Sequence, residues 1–112
     1  MSTTLHQLKK GVTLLIVLDA LEKGMLYGYG LRREVHERTR GTLHFSEGAL
    51  YPLLHSLDHK RWVKVSRRKV GGRWRHYYGI TSHGRRALAE LRREWHSLLD
   101  SFETIIKRRR RA

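Results

Sequence analysis

The residues best suited to chemistry in this sequence are cations interleaved with large aromatic side chains. Between residues 60 and 86 there are ten Lys or Arg and no Asp or Glu. Cations neutralise phosphates, and the aromatic and β-branched neighbours favour a folded surface over a solvated charged loop. We predict that this segment contacts a nucleic-acid backbone. The side chains expected to do so are Lys64, Arg67, Arg68, Lys69, Arg73 and Arg75.

The overall charge points to the same kind of partner. The chain of 112 residues has 24 Lys and Arg against 10 Asp and Glu, a net charge of +14 at pH 7. So basic a chain is expected to bind a polyanion. Charge does not separate DNA from RNA, so the alternative function is that of an RNA-binding protein or of a non-specific, nucleoid-type basic protein.

The residues that disulfides, metal sites and enzymatic motifs require are missing from the sequence. The absence of Cys excludes disulfides, thiolate metal sites and Cys nucleophiles. His55 and His59 have the i, i+4 spacing of zinc-binding helices, but the Glu after the first His and a third ligand are missing. No phosphate-binding loop or dinucleotide fingerprint occurs. We therefore expect no enzymatic activity, no cofactor and no metal.

The sequence also lacks the patterns of an exported or membrane-spanning protein. The longest apolar run, Val12 to Leu18 interrupted only by Thr13, is too short to cross a bilayer. The first residues do not have the basic start, apolar stretch and cleavage site of a secretory signal. We expect the protein in the cytoplasm.

Three helices are predicted in the first half of the chain. Apolar residues recur at helical spacing over residues 4–23, where Gly24 is expected to form a left-handed stop. A shorter helix follows the flexible corner at Tyr27–Gly30 and ends near Thr39 or Gly41. Ser46 is predicted to cap a third helix over residues 46–59, which Pro52 should bend. Its buried stripe is Leu50, Leu53, Leu54 and Leu57.

The basic segment is predicted to form a β-hairpin, followed by a long helix. Two β-prone runs flank Gly71-Gly72, which is typical of a two-residue hairpin turn. Ser82 is expected to cap the last helix, where apolar residues alternate in steps of three and four. This seam comprises Leu88, Leu91, Trp95, Leu98, Phe102 and Ile105.

The element order α-α-α-β-β-α predicts a mainly α fold with a β-hairpin wing, a winged helix-turn-helix. Residues 1–81 would form the DNA-binding domain, and residues 82–112 a dimerisation helix with a basic tail, in one compact unit. In this fold the third helix enters the major groove. Its expected DNA contacts are Ser46, Glu47, Gly48, Tyr51 and His55.

The long seam is predicted to pair two copies of the chain. A helix of this length would overhang so small a domain unless a second copy covered it. The alternative is that the seam packs only on the first helix of its own chain. The basic end, Lys107 to Arg111, is either a phosphate-binding tail or a solvated helix end. The expected dimer contacts are Leu5, Leu8, Val12, Leu88, Leu91, Trp95, Leu98, Phe102 and Ile105.

Four blocks of sequence, within about residues 5 to 100, resemble the PadR-type transcriptional regulators. They are Tyr27-Gly28-Tyr29, Gly48 to Leu54 (Gly-Ala-Leu-Tyr-Pro-Leu-Leu), the junction from Leu57-Asp58 to Trp62-Val63, and Tyr77 to Thr81 (Tyr-Tyr-Gly-Ile-Thr) leading to Gly84. The resemblance implies a homodimeric winged-helix repressor with a single C-terminal dimerisation helix, as in the short-chain branch of the family. It also places Tyr51 and Pro52 in the recognition helix, and we add Tyr29 to the expected DNA contacts.

The resemblance raises two further questions. Some PadR-type regulators bind flat aromatic molecules at the dimer interface, so Trp95 is either a contact for a small aromatic effector or a core residue of the seam. The family commonly has Gly just after the recognition helix, where this chain has Arg61. Either the helix ends differently here, or Arg61 adopts a left-handed conformation at an energetic cost.

Overall fold

The structure is a computed structural model that describes residues 2–111, with side chains described for residues 10–108. Its elements follow the predicted order with one addition, the short strand β1. The bounds are α1 Ser2–Leu21, β1 Leu26–Tyr27, α2 Gly28–Arg38, α3 Glu47–His59, β2 Val63–Val70, β3 Arg73–Ile80 and α4 Ser82–Arg111. The three strands form one antiparallel sheet in the order β1-β3-β2. The predicted fold, mainly helical with a β-hairpin wing, is confirmed.

The core lies where α1, α2 and α3 meet the base of the hairpin. Helical spacing puts apolar residues on the inward face of each helix. Strand β2 adds the buried residue Val63, and β3 adds Tyr78 and Ile80. The first turns of α4 close this core with Leu88, which is only 1% exposed. The largest buried side chains are Leu18, Leu21, Leu31, Leu50, Leu54, Leu57, Val17 and Val35.

The predicted ends of the first three helices need two corrections. Helix α1 ends at Leu21, and Gly24, expected to be a left-handed stop, is not among the glycines with positive φ. Its N–H instead donates to the Leu21 carbonyl at 3.2 Å in an ordinary turn. Strand β1 and the start of α2 at Gly28 replace the flexible corner expected at residues 27–30.

Two of the predicted local signals are confirmed. The Ser46 hydroxyl accepts a hydrogen bond from the Ala49 N–H at 3.2 Å, so Ser46 caps α3. The turn glycines have φ values of 57° for Gly71 and 79° for Gly72, as a two-residue hairpin turn with two left-handed positions requires. Helix α3 continues through Pro52, whose ring nitrogen cannot donate to the Gly48 carbonyl.

The junction after α3 shows how the chain accommodates Arg61. This residue has φ of 63°, so it bears the left-handed conformation that Gly would adopt without strain. The Thr81 hydroxyl donates to the Arg61 carbonyl at 2.6 Å and accepts from the Gly84 N–H at 2.9 Å. Thr81, rather than the predicted Ser82, therefore caps α4. A Cβ on Gly84 would lie 2.1 Å from the Trp62 carbonyl oxygen, so only glycine fits there.

A cluster of ion pairs holds α4 and α2 against α1. The Asp19 carboxylate accepts hydrogen bonds from both Arg38 and Arg92. Arg92 also contacts the Glu22 carboxylate at 2.8 Å. The hydrogen bond that Arg92 donates lowers the pKa of Glu22, and the hydrogen bonds that Arg92 donates to Glu22 and Asp19 raise the pKa of Arg92. The start of α4 is thus fixed relative to the three-helix core.

Helix α4 extends well beyond the rest of the fold. The molecule measures 63 × 27 × 22 Å, and its radius of gyration of 16.2 Å exceeds the roughly 13 Å expected for a compact chain of this length. Along the described part of the chain, no helix combines the length and the apolar character that a membrane span needs.

Candidate nucleic-acid interface

The first turns of α2 and α3 and the outer half of β3 surround an open polar cleft of about 480 Å³. It unites five of the residues predicted to contact DNA. These are Tyr29, Glu47, Tyr51, Arg73 and Arg75. The cleft therefore places side chains of α3 and of the wing next to each other, although they are far apart in the sequence.

Gly28 allows Tyr51 to lie across the start of α2. A Cβ on Gly28 would be 2.9 Å from the Tyr51 hydroxyl oxygen, so any larger residue there would push the ring aside. Tyr51 remains 46% exposed. Burial raises the pKa of the nearby Tyr78 phenol, which lines the same cleft and stays uncharged at neutral pH.

The outer face of α3 is available for contact. Gly48, Tyr51 and His55 are exposed and recur at steps of three and four along the helix. Ser46 is also exposed, but its hydroxyl is engaged as the helix cap. Pro52 is exposed as well, but it lines a different cavity from Tyr51 and Glu47.

Arg32 was not among the residues predicted to contact DNA. Its guanidinium lies 5.6 Å from the centre of the Tyr29 ring and its Nη2 lies 3.5 Å from Oε1 of Glu47. It therefore joins two of the predicted contacts in the cleft. Because Tyr29 was expected in the flexible corner before the second helix, its i, i+3 spacing to Arg32 became a signal only once α2 was found to begin at Gly28. Tyr27, Trp74 and His76 also line the cleft without having been predicted to do so.

In the wing, aromatic rings hold the cations in place. The guanidinium of Arg67 lies 4.9 Å from the Trp74 ring centre, and that of Arg75 lies 4.6 Å from the Tyr27 ring centre. A third pair joins Arg68 and Tyr77 at 5.5 Å. Such stacking orders a guanidinium without neutralising its charge, which remains available to a phosphate.

The strand register distributes these cations over both faces of the wing. Residues that are directly paired across two strands point to the same face of the hairpin. One face therefore carries Arg67 and Lys69 together with their partners His76 and Trp74. The buried pair Val63 and Ile80 lies on this same face, at the base of the hairpin. The opposite face carries the remaining predicted cations of the hairpin. These are Lys64, Arg68, Arg73 and Arg75.

The seam on α4 divides into a covered part and an open part. Leu88 is buried within this chain, and its predicted role in dimerisation stays a prediction. Leu91 packs against the same core, and Trp95 lies over Gly11 of α1, whose added Cβ would be 3.2 Å from the ring. The open part comprises Leu98, Leu99, Phe102, Ile105 and Ile106.

Other predicted positions are less informative. The side chains of Leu5 and Leu8 lie outside the described residues, and Val12 is half-buried on α1. In the basic tail, Lys107 pairs with Glu103 at 3.2 Å, and the side chains that follow Arg108 are not described.

His55 and His59 are both exposed, and among the described residues no three His, Asp or Glu side chains form a group suited to a metal.

Comparison with known proteins identifies the family. Residues 17–90 match the transcriptional regulator PadR-like family. A Streptococcus transcriptional regulator of known structure is 30% identical, with a TM-score of 0.77 over 88% of this chain and 96% of the other. A PadR family transcriptional regulator from Eggerthella lenta is 27% identical, with a TM-score of 0.79 over 94% of this chain and 90% of the other.

A third solved structure agrees with this assignment, and one further sequence is similar to this chain. The PadR-like transcriptional regulator of Bacillus cereus is 26% identical, with a TM-score of 0.78 over 89% of this chain and 96% of the other. An uncharacterised protein of Lysinibacillus sphaericus is 34% identical over 94 residues, which cover 82% of this chain and 85% of that protein. The chain, with its basic wing beside an exposed helix, belongs to the PadR-like family and is a DNA-binding regulator of transcription.

Proposed function

We propose that this protein is a dimeric, sequence-specific repressor, with α3 in the major groove and the wing on the adjacent backbone. The observation that carries the proposal is the shared cleft, in which Glu47 and Tyr51 of α3 lie beside Arg73 and Arg75 of β3. A duplex seated on α3 would meet the wing without any rearrangement of the protein. Repression, rather than activation, rests on the family resemblance alone.

Base recognition is assigned to the exposed residues of α3. The major groove admits one α-helix, and the residues at the start of a recognition helix contact base edges. Glu47 can accept a hydrogen bond from cytosine, and His55 can donate one to a purine. Gly48 lets the backbone approach a phosphate, and Tyr29 and Tyr51 present hydroxyl groups from the edge of the same cleft.

Affinity is assigned to the wing. Phosphate contacts position a protein on the duplex and supply the salt-dependent part of its binding free energy. The exposed cations Lys64, Arg67, Arg68 and Lys69 of β2, together with Arg73 and Arg75 of β3, supply these contacts in our proposal. Because they occupy both faces of the hairpin, the wing can follow the minor groove between two phosphate strands.

Dimerisation is assigned to the open part of α4. Leu98, Phe102 and Ile105 are expected from the seam, and Leu99 and Ile106 widen the same apolar face. A monomer with these side chains in water would expose a contiguous apolar strip, which is typical of an interaction surface. Two-fold pairing would present two copies of α3 to half-sites about one helical turn, roughly 34 Å, apart.

An effector site at Trp95 remains a second part of the proposal. The ring packs over Gly11 and is half-buried, so it can serve as protomer packing and still form one wall of a dimer interface. Planar aromatic compounds should then quench tryptophan fluorescence and weaken DNA binding. If a broad panel of such compounds changes neither property, Trp95 is a packing residue only.

Selection from a randomised duplex library tests the function. The full chain, with its dimeric state checked in the same buffer, is incubated with the library at physiological salt in the presence of single-stranded and duplex RNA competitors. Enrichment of a palindromic DNA sequence is expected. Failure to enrich any sequence, with RNA competing as well as DNA, would instead support the RNA-binding or non-specific nucleoid-type alternative.

A further inference from the structure

A second cavity, of about 760 Å³, opens between α1, the loop that joins α2 to α3, and α3 itself. Its apolar wall comes from Leu14, Leu43, Phe45 and Leu53, which also pack against the core. None of the residues that line it belongs to the cleft that holds Glu47 and Tyr51. This cavity is therefore separate from the candidate DNA interface.

The charged side chains that line the cavity, as far as the structure describes them, are positive. Lys10 and Lys60 line it, and the described lining contains no carboxylate. An apolar wall attracts a hydrocarbon chain, whereas an anion at its edge needs a cation to replace its lost hydration. Cavities of this size commonly bind small molecules, with a largely apolar lining and a few polar groups that fix the ligand's orientation. The combination fits an amphiphilic anion.

Lys60 connects this cavity to the junction that follows α3. Its Nζ lies 4.7 Å from the centre of the Trp62 ring, and Trp62 is the last residue before β2. A stacked ammonium on an exposed side chain can turn toward an anionic head group at little cost, because such a contact contributes only about 0.5–1 kcal/mol. The cavity thus contains a cation that is ordered but not paired to a carboxylate in the described structure.

The cavity also borders the recognition helix. Ala49, Pro52 and Ser56 of α3 line it, and Tyr51 and His55 lie on the neighbouring face of the same helix. A bound anion would add negative charge next to the surface of α3 that is proposed to enter the major groove, and it would neutralise Lys60. Both changes oppose the approach of a polyanion.

We propose that this cavity binds an aliphatic carboxylate with a medium-length chain, and that the bound ligand weakens DNA binding. The chain lies against Leu14, Phe45 and Leu53, and the carboxylate contacts the ammonium groups of Lys10 and Lys60. The proposal that the carboxylate binds here depends only on the cavity. The effect on DNA rests on the function proposed above.

Calorimetric titration of the full chain with dodecanoate, below its micelle concentration, tests the site. We expect saturable binding of one dodecanoate per protomer and at least tenfold weaker binding of dodecanol, which lacks the charge, and of butyrate, which lacks the chain. The double variant Lys10→Gln/Lys60→Gln should bind dodecanoate at least tenfold more weakly. Ser56→Trp, which fills the cavity from an exposed helix position, should abolish binding, and Lys23→Gln is the matched control.

Several results would overturn the site. They are uptake of many dodecanoate molecules per protomer without saturation, equal binding of dodecanol, or unchanged binding in both the double variant and Ser56→Trp. Each would mean that the cavity does not select an amphiphilic anion.

A parallel titration with duplex DNA tests the regulatory effect. Saturating dodecanoate should lower the affinity for the selected duplex about tenfold in the parent chain and leave the affinity of Ser56→Trp at its own starting value. If dodecanoate binds as expected and DNA affinity does not change, the proposed regulatory effect is wrong, whereas the proposed binding site is supported. If the chain binds no duplex at all, the proposed function fails, and calorimetry still decides the site.

Discussion

At the scale of single residues, the wing keeps its positive charge because its cations stack on rings. Arg67 lies on Trp74, and residues 60–86 contain no Asp or Glu that could neutralise it. The alternation of basic and aromatic residues made this surface predictable from the sequence. Arg32 was not predictable in the same way, because its role depends on a contact with Glu47, fifteen positions further along the chain, that only the packing of α2 against α3 creates.

Removal of a wing cation should weaken binding to every DNA sequence. In Arg67→Ala or Arg73→Ala, each lost phosphate contact should reduce the slope of log K against log salt by roughly one unit. Fluorescence anisotropy over a series of salt concentrations measures this slope. Arg93→Ala, which removes an exposed cation of α4 paired with Glu90, is the matched control. An unchanged slope in both wing variants would show that the wing does not contact phosphates.

Changes at the start of α3 should alter which sequence is preferred. Glu47→Gln or His55→Ala should lower affinity for the selected duplex by about 1–3 kcal/mol and affect binding to random duplex much less. Repeating the library selection with each variant should also change the base preferred at one position of each half-site. Equal losses on selected and random DNA would contradict the assignment of these residues to base recognition.

At the scale of elements, local sequence patterns predicted the helices and the hairpin, whereas their junctions depend on distant contacts. The turn at Gly71-Gly72 is predictable from these two residues alone. At the start of α4, by contrast, the residue types favour Ser82 as the cap, because Ser is a better N-cap than Thr. Thr81 takes the role because its hydroxyl also bonds the Arg61 carbonyl, twenty residues away. Strand β1 has only two residues, Leu26 and Tyr27, too few for an alternating pattern, and it exists because β3 offers a free edge.

The same junction makes a prediction about stability. Gly84→Ala should lower the free energy of unfolding by about 1–3 kcal/mol, because the added Cβ forces Trp62 or α4 to move. Gly48→Ala is the control, since a Cβ there has open space and alanine favours a helix by up to about 1 kcal/mol. Urea unfolding measures both. If the two variants are equally stable, the close contact between Gly84 and Trp62 does not limit this position.

The ion cluster on α1 predicts a stability difference that depends on pH. Because the pKa of Glu22 is lowered in the folded state, the ionised carboxylate stabilises the fold. This stabilisation is present above the ordinary pKa of 4.5 and is lost as the pH falls through the lowered pKa. Arg92→Ala should therefore destabilise the fold by about 0.5–1 kcal/mol at pH 7, as expected for exposed pairs. The difference from the parent should shrink below pH 4.5. A difference that stays constant down to pH 3 would mean that Arg92 acts through packing only.

At the scale of the whole molecule, the overhang of α4 is the feature that the fold of one protomer does not explain. The seam was predictable from apolar spacing, but its division at Trp95 was not, because that depends on where α1 begins to cover α4. Phe102 is 44% exposed at the centre of the open part. Phe102→Glu should convert the dimer to a monomer in sedimentation experiments and abolish cooperative binding to a palindrome. Thr104→Glu, on the opposite face of α4, should remain dimeric and bind as the parent does.

The central claim is that the dimer reads a specific DNA sequence, and a ratio of affinities tests it most directly. The full-length protein is titrated at physiological salt onto the selected palindrome and onto a scrambled duplex of the same length and composition. We expect binding to the palindrome to be at least about 10³-fold tighter, with one dimer per site. Equal affinity for the two duplexes would contradict it, and would make the protein a non-selective binder of polyanions.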